Sequence, residues 1–412
     1  MTLAKGSFGV VVTALCLCIA VEGWLAFAHP LARLPVATME QGELFNSMRN
    51  IKKETSSGEK QPYMVLLGSS LVVAPVVQAE SQFRKRAIKR FFERRATACE
   101  EHLRQYIPEA PDGRGLQVFN AAVGGGMASD DYYVARDLLS SKNKPLALVC
   151  GVAPRDFQDN LVPGVYSTSA FQVLSNLSDV RDVLDDNSLT LDKKFDIALG
   201  RISNLWRNRA EVKSYFGLVS KKMIEKLCPF ILFEKYGGTS MALAPQKEGI
   251  FPEEVKGTPF AYPGYAIDHY DSAKTSQQYM RSYNPVSKRM VDEQFAYFDK
   301  TLTMARKHGV DVLVVNMPLS CSNKQLFESG FYESYMQRLK SVCASHDVQL
   351  ADFNNAAWDA DNNFIDTVHL SAEKSEAFIQ ALMAAVADSP LSVALSGEPK
   401  RQIGAKPLSS PQ

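Results

Sequence analysis

The chain has 412 residues, 46% of them hydrophobic, which is enough to build a sizeable buried core. Its formal net charge of +1 gives no electrostatic argument for nucleic-acid binding, so we do not expect nucleic acid as a partner. The cysteines beyond the N-terminal region show no paired spacing of the zinc or iron–sulfur kind, and no Gly-x-Gly-x-x-Gly segment is present. We therefore expect neither a metal nor an organic cofactor.

An apolar segment opens the chain. It runs from Phe8 to Ala28 and contains a single carboxylate, Glu22. This is about the length that crosses a bilayer, which predicts an uncleaved signal anchor over residues 1–29. A cleaved signal peptide is the alternative, since the closing Ala-Phe-Ala fits the small-x-small rule, but Glu22 and Trp24 make a poor cleavage region. The body is expected to be extracytoplasmic on a single-pass anchor, periplasmic in a Gram-negative cell, or secreted if the leader is cleaved.

The rest of the chain divides into three regions. Residues 30–62 end in a polar run over 54–62 and are predicted to form a stalk or approach segment. Residues 63–388 are predicted to form a folded domain with an insertion at 157–286. Residues 389–412 are rich in Pro, Ser and Gly and are predicted to be a disordered tail.

Short apolar runs alternate with helical patterns in the folded domain. The predicted strands are 64–67, 116–120, 146–150, 310–316 and 348–352, and the predicted helices are 80–105, 130–141, 287–308, 324–346 and 372–387. This alternation predicts an α/β fold of three layers, with a central parallel sheet between helices.

The insertion departs from the alternation. It is predicted to be mainly helical, over 195–208 and 212–233, and it carries an aromatic loop at 260–270. Because it follows a strand end, we expect it to cover the active-site mouth as a lid or to bind a partner. The alternative is that its aromatic side chains pack a small core of their own.

Two distant segments carry residues that can act together. Ser70 follows an apolar run and Gly68, while Asp366 and His369 precede the helix at 372–387. A carboxylate three residues before a histidine can hold the imidazole in one tautomer, and that imidazole can deprotonate a distant serine. Taken alone, each segment has a plain alternative as a turn or a helix cap. Their order along one α/β domain favours the joint interpretation.

On these motifs the chain resembles the SGNH (GDSL-like) hydrolase superfamily. The resemblance implies a sheet of the SGNH or flavodoxin-like kind, with Ser70 as nucleophile, His369 as base and Asp366 as its orienter. The segment 118–126 is similar to the family's second block, which implies that the backbone N–H of Gly125, or of its neighbour Gly124, binds the oxyanion.

The third block departs from the family pattern. The segment 151–156 stands where the family has Gly-x-Asn-Asp, so the asparagine that completes the oxyanion hole has no clear counterpart. Arg155 and Asn160 are the candidate substitutes at this edge of the site. Asn316, at the end of a predicted strand, is a further candidate substrate-binding residue because its side chain reaches the same sheet edge.

An anchor followed by a serine-triad domain resembles the membrane-anchored branch of the superfamily, which includes the alginate O-acetylation proteins and the D-alanyl transfer protein of teichoic acid assembly. The resemblance implies a serine acyltransferase or esterase acting on acyl groups, O-acetyl above all, of a cell-surface glycan or polymer, with a membrane-bound acyl donor as a candidate partner. Two alternatives stay open. One is a non-catalytic glycan-binding or scaffold protein that keeps the fold, and the other is an esterase for small lipids.

Overall fold

A computed structural model describes residues 3–28, 40–56, 61–85, 94–108, 115–187, 189–207 and 272–396, with single residues between 209 and 223. The chain divides into two compact units. Met1–Ser47 and Val162–Glu254 form one, here called the leader–insertion unit, and Met48–Leu161 and Val255–Gln412 form the other, the core unit.

A five-stranded sheet forms the centre of the core unit. Its strands are β1 (Tyr63–Gly68), β2 (Gln117–Asn120), β3 (Ala147–Val152), β4 (Asp311–Asn316) and β5 (Gln349–Asp352). They lie in the order β2-β1-β3-β4-β5, and each neighbouring pair is parallel. The predicted central parallel sheet is confirmed, and all five predicted strands coincide with observed ones. The order reverses beside β1, which opens a crevice at the carboxyl ends of β1 and β3.

The helices of the described residues are, in chain order, α1 (Leu3–Ala28), α2 (Glu40–Ser56), α3 (Ser70–Arg84), α4 (Thr97–Arg104), α5 (Ala128–Leu139), α6 (Ser169–Leu174), α7 (Leu177–Leu184), α8 (Leu191–Ile202), α9 (Asn204–Arg207), α10 (Ser272–Tyr283), α11 (Lys288–Lys307), α12 (Cys321–Lys324), α13 (Phe331–Ser345), α14 (Ala372–Ala387) and α15 (Leu391–Ser396). Single 3-10 turns lie at Pro154–Asp156, Val165–Ser167 and Asp361–Asn363.

Helices cover the sheet on both faces. Every residue of β1, β2 and β3 is buried. Because successive side chains of a strand point to opposite faces, a fully buried strand must be covered twice. On one face α3, α4 and α14 pack against one another, and on the other α5 packs against α11. Phe157 stacks on Phe295 of α11 with ring centroids 4.1 Å apart.

The prediction of one helix over 80–105 was wrong. Helix α3 begins directly after β1 and ends at Arg84, because Lys85 takes a left-handed conformation with φ 51°. After residues 86–93, which lie outside the described residues, Arg95 pairs with β2 before α4 begins. The predicted helix 324–346 is likewise divided, into α12 and α13.

Two arginines, one at the end of α3 and one just before α4, neutralise buried carboxylates. Arg84 bonds to Glu80, and Arg95 Nε lies 2.9 Å from Glu100 Oε1. Glu80 and Glu100 are both buried, so each requires a cationic partner. The repeated arginines of this stretch therefore include structural ion pairs of the core.

The predicted stalk and the predicted disordered tail both contain helices. The predicted stalk 30–62 includes α2, which buries Met48, Ile51 and Thr55 at helical spacing and places Lys52 Nζ 2.6 Å from Asp137. Its residues 30–39 and 57–60 lie outside the described residues.

The predicted disordered tail begins with α15, which buries Leu391 and Leu395 in the hydrophobic core. Disorder was the wrong prediction for these residues because two leucines four positions apart form an apolar helix face. Residues 397–412 lie outside the described residues.

The leader–insertion unit contains α1 and α6–α9. Glu22 of α1 accepts hydrogen bonds from the backbone N–H groups of Asn204 at 2.6 Å and Leu205 at 3.3 Å, at the start of α9. Several apolar side chains of α1 are exposed, among them Trp24 and Phe27. Within the part of the chain that the structure describes, no helix combines the length and apolar content required to cross a bilayer.

The predicted helix at 195–208 corresponds to α8 and α9, which are broken between Ile202 and Asn204. Of the predicted helix at 212–233 only single residues are described, and the aromatic loop at 260–270 lies outside the described residues. The lid role of the insertion stays a prediction.

Candidate active site

Ser70 lies at the carboxyl end of β1, where the chain turns sharply into α3. Gly68 makes the turn with φ 141°, and a Cβ at this position would lie 2.5 Å from the carbonyl oxygen of Gly151. Only glycine tolerates both the backbone angle and the close approach of β3. Ser70 is half-buried at the mouth of the crevice, whereas Ser69 is fully buried.

The first turn of α3 directs backbone N–H groups towards the same place. The carbonyl of Ser69 accepts hydrogen bonds from Val72 N at 3.0 Å and Val73 N at 3.1 Å, as the first residue of a helix does. The N–H groups of Ser70 and Leu71 precede these donors and have no partner within the helix. The positive end of the 15-residue helix α3 therefore lies beside the Ser70 hydroxyl.

Ser70, His369 and Asp366 form one hydrogen-bonded chain. His369 Nδ1 lies 2.7 Å from Asp366 Oδ2, and His369 Nε2 lies 2.9 Å from Ser70 Oγ. Because a carboxylate accepts only, Nδ1 carries the proton and Nε2 accepts from the serine hydroxyl. The structure thus brings together the three residues predicted for the triad.

The loop that carries Asp366 and His369 is closed by its own backbone. Ile365 N donates to His369 O at 2.9 Å, Ser371 N donates to Asn363 O at 2.8 Å, and Phe364 pairs with Leu370. Ser371 then caps α14, as its sequence position predicts. The short closed loop fixes where the imidazole points.

Helix α3 is tied to this loop by residues that the sequence analysis missed. Gln78 Nε2 donates to Leu370 O at 3.3 Å, and Gln82 Nε2 donates to Ala372 O at 2.8 Å. Ser375 Oγ donates to Gln78 Oε1 at 2.7 Å. Their spacing of four positions places both glutamines on one face of the helix that begins at Ser70, but it does not indicate their partners.

The carboxylate of Asp366 stays ionised although it is buried. Burial acts to raise its pKa, but electrostatic attraction to the His369 ring and hydrogen bonds from the side chain and backbone N–H of that residue hold the pKa below its ordinary value. Asp366 Oδ1 accepts from Val368 N at 2.7 Å and His369 N at 2.6 Å. A carboxylate that stays negative beside Nδ1 would favour the imidazolium that His369 would become on taking a proton from Ser70.

A glycine turn follows β2 and lies beside the end of β1. Val123 N donates to Gly68 O at 2.8 Å, which joins the turn to the end of β1. Gly126 N donates to Val123 O at 2.9 Å, so Gly124 and Gly125 are the central residues of a four-residue turn. Gly125 has φ 69°, the value that the third position of a type II turn requires. Both central glycines are exposed, as donors to a bound group would have to be.

The third block, which differs from the family pattern, follows β3 and contributes a charged cluster. The Asp156 carboxylate accepts from Ala153 N at 2.8 Å. Burial raises the pKa of Asp156 to about 6, although Arg155 acts in the opposite sense. Burial also raises the pKa of Asp131, on α5, well above its usual range, and the like charge of Asp156 adds to that effect. Asp131 was missed because nothing in the sequence near α5 signals the proximity of Asp156.

Arg155 reaches the glycine turn. Its Nη1 donates to Gly126 O and its Nη2 to Gly125 O, each at 3.4 Å. Nη2 also lies 3.2 Å from Asp159 Oδ2. The structure therefore brings this predicted residue to the predicted oxyanion loop.

The structure gives the two predicted asparagines other partners. Asn316 is fully buried, and its amide bonds to Tyr332 Oη at 3.1 Å and Asp352 Oδ1 at 2.8 Å. A side chain enclosed in this way cannot bind substrate, so the prediction for Asn316 was wrong. Asn160 Nδ2 donates to Pro285 O at 2.9 Å, which makes it a tie between two loops instead of an oxyanion donor.

Among the described residues, no group of three or more His, Cys, Asp or Glu side chains could hold a metal ion. The candidate site consists of the serine–histidine–aspartate chain, the N-terminus of α3 and the glycine turn.

The fold and this site define an α/β protein with a hydrogen-bonded serine, histidine and aspartate at the carboxyl edge of a parallel sheet. The sequence model of a family described as "Protein of unknown function (DUF1574)" matches residues 106–385, so the chain belongs to that family. No curated protein matches the chain.

Proposed function

We propose that the protein is an exported serine acyltransferase or esterase of the SGNH-like kind, acting on acyl groups of a cell-surface glycan or polymer. The observation that carries the proposal is the chain of two hydrogen bonds from Asp366 through His369 to Ser70. Such a chain turns a weakly nucleophilic hydroxyl into an activated one.

The proposed reaction has two halves. Ser70 Oγ attacks the acyl carbon while its proton passes to His369 Nε2, and the ester C–O bond breaks as His369 returns the proton to the leaving hydroxyl. The acyl group is then esterified to Ser70. Water or a second hydroxyl loses its proton to His369 and attacks this ester, and Ser70 Oγ departs and takes the proton back.

Two sets of backbone donors would bind the oxyanion in each half. The N–H of Ser70 stands at the positive end of α3, and the turn exposes Gly124 and Gly125 beside it. Donors fixed in place before the reaction stabilise developing charge most effectively. The missing third-block asparagine leaves these backbone groups as the donors that the proposal requires.

The choice of substrate class rests on the resemblance to membrane-anchored acyltransferases and esterases of surface polymers. Whether water or a sugar hydroxyl accepts the acyl group depends on how well the occupied site excludes water. A membrane-bound acyl donor is the partner that a transfer reaction would need.

We also infer that the leader is retained after export. The contact of Glu22 with Asn204 and Leu205 supports retention, because cleavage after Ala28 would remove a helix that binds α9. Mass measurement of the mature protein from membrane and soluble fractions tests this. A mature chain that begins after Ala28 would contradict retention.

Covalent labelling of the full-length protein in detergent with a fluorophosphonate probe tests the function. We expect Ser70 to be labelled, and labelling to vanish in Ser70→Ala and His369→Ala. Ser69→Ala is the matched control, because the buried Ser69 hydroxyl cannot reach a probe, and this variant should still be labelled. Peptide mass mapping identifies the modified serine.

The labelling experiment and an ester-hydrolysis assay together distinguish the alternative functions. A folded wild-type protein that resists the probe would favour the non-catalytic scaffold, which the missing third-block asparagine otherwise supports. Release of nitrophenol from acetyl and from long-chain nitrophenyl esters separates the other two possibilities. Preference for acetyl supports a glycan or polymer esterase, and preference for long chains supports a lipid esterase.

A further inference from the structure

Arg155 occupies the third block, where the usual asparagine donor is missing, and it contacts the glycine turn instead of standing free. We infer that Arg155 is a positioning residue that holds the turn in the conformation that binds the oxyanion. The inference rests on the proposed function, since it assigns a part of that same site. It differs from a substrate-binding role, in which the guanidinium would touch the substrate itself.

The two carbonyl groups that Arg155 contacts belong to consecutive peptides. Nη2 binds the carbonyl of Gly125 and Nη1 that of Gly126, so one planar group fixes two peptide planes. The other end of the turn is fixed by Val123 N, which donates to Gly68 O at 2.8 Å. The peptide between Gly124 and Gly125, with the N–H predicted to bind the oxyanion, is thus held from both sides.

A run of three glycines makes such a clamp necessary. Glycine has the greatest backbone freedom of any residue, so residues 124–126 lose the most conformational entropy when they are ordered. Gly126 is also constrained by space, because a Cβ there would lie 2.9 Å from Val123 O. The turn therefore cannot be stiffened by its own side chains, and an outside group must do so.

Arg155 is itself held firmly. Its side chain is only 12% exposed, and Asp159 and Asp156 lie 3.2 Å and 3.8 Å from its guanidinium nitrogens. The 3-10 turn Pro154–Asp156 fixes its backbone directly after β3. A guanidinium supplies donors in a rigid plane, which a lysine ammonium does not. The register of Gly68 with Gly151 brings this block beside the nucleophile strand.

The inference predicts how the inactivation constants change. Misplacing a reacting or stabilising group by about 1 Å costs about a hundredfold in rate. We expect Arg155→Ala to lower the maximal inactivation rate constant (kinact) of the fluorophosphonate probe by about a hundredfold, with its half-saturating concentration (KI) unchanged. Arg155→Lys keeps the charge but not the plane and should lie between this variant and the wild type.

The test measures kinact, KI, the final extent of labelling and the melting temperature of full-length wild type, Arg155→Ala and Arg155→Lys. Arg104→Ala is the matched control, because Arg104 is an exposed arginine that pairs with Glu101 on the same helix. Ethylguanidinium at a sub-denaturing concentration should raise kinact of Arg155→Ala and leave Arg155→Lys and the control unchanged.

Four outcomes would overturn the inference. A raised KI with kinact retained would make Arg155 a ligand of the probe. A reduced final extent with normal kinact in the labelled fraction would make it a purely structural residue. Wild-type kinetics in both variants would leave it without a part in the site while the proposed function stands. Failure of the wild type itself to react would refute the proposed function, and the inference with it.

Discussion

Replacing Asp366 by asparagine exchanges one carboxylate oxygen for an NH₂ group. The variant tests whether Asp366 sets the tautomer of His369. Asp366 Oδ1 accepts from Val368 N at 2.7 Å and His369 N at 2.6 Å, and an asparagine carbonyl can keep both bonds. The asparagine NH₂ group then takes the place of Oδ2, which lies 2.7 Å from His369 Nδ1. A donor would face a donor at that position.

The imidazole avoids this conflict by moving its proton from Nδ1 to Nε2. Nε2 lies 2.9 Å from Ser70 Oγ, and once protonated it can no longer accept the serine proton. The same replacement in serine–histidine–aspartate enzymes costs about 10⁴-fold in turnover, which corresponds to about 5.4 kcal/mol of transition-state stabilisation. We expect a loss of this size in the rate of fluorophosphonate labelling, with little change in melting temperature.

The assay follows labelling of Asp366→Asn by in-gel fluorescence over a wide range of times and probe concentrations. Asp361→Asn is the matched control, because Asp361 Oδ1 also accepts a backbone N–H, from Ser322 at 2.9 Å, but does not contact His369. Labelling of Asp366→Asn within about tenfold of the wild type would refute the tautomer argument. Equal losses in both variants would show that the rate reports loop stability instead.

Three further predictions concern the fold that supports the site. Gly68→Ala should destabilise the protein by about 3 kcal/mol or more in urea unfolding, because its Cβ would lie 2.5 Å from Gly151 O at φ 141°; a loss below about 1 kcal/mol would contradict the close approach. Burial raises the pKa of Asp156 from 3.8 to about 6, so its stabilising contribution is present below the ordinary value and is lost as pH rises through the folded value. Relative to Asp156→Asn, the wild type should therefore lose about 3 kcal/mol of unfolding free energy between about pH 4 and about pH 7, and a difference that does not vary with pH would refute this. Leu395→Ala should cost about 3 kcal/mol, since the side chain is fully buried in α15, and the half-buried Val393→Ala serves as its control; equal costs would argue that α15 is not packed as described.

The strands and the triad could be predicted because their signals are local. An apolar run that ends at Gly68 indicates a buried strand with a sharp exit, and the spacing of Asp366 and His369 is set within four residues. The parallel order then follows from the alternation of strands and helices. What the sequence could not supply was the contact between Ser70 and His369, which the resemblance supplied in its place.

The wrong predictions share a physical cause, which is that a distant partner decides the outcome. Arg95 was predicted to lie inside one helix over 80–105, but it pairs with β2 and binds the buried carboxylate of Glu100. Asn316 ends its strand as predicted, yet Tyr332 and Asp352 take up its amide. Leu395 lies in a segment of tail-like composition, and only the hydrophobic core that receives it makes it helical.

Gln78 and Gln82 are residues of the site whose partners are also distant in the sequence. Nothing in the sequence links them to residues of the 363–372 loop, because the separation exceeds anything that a local pattern can report. Their bonds to Leu370 and Ala372 become visible only when α3 is placed beside α14. Supporting residues of a site are therefore harder to predict than the reacting ones.

The separation of Ser70 and His369 by 299 residues affects the protein during its synthesis. Ser70 emerges from the ribosome early, but His369, its proposed general base, is among the last residues of the core to be made. Until α14 docks against α3, the hydroxyl has the reactivity of any ordinary serine. On the proposed mechanism, an activated serine would therefore exist only in chains that have been completed and folded, and a nascent or truncated chain would lack it.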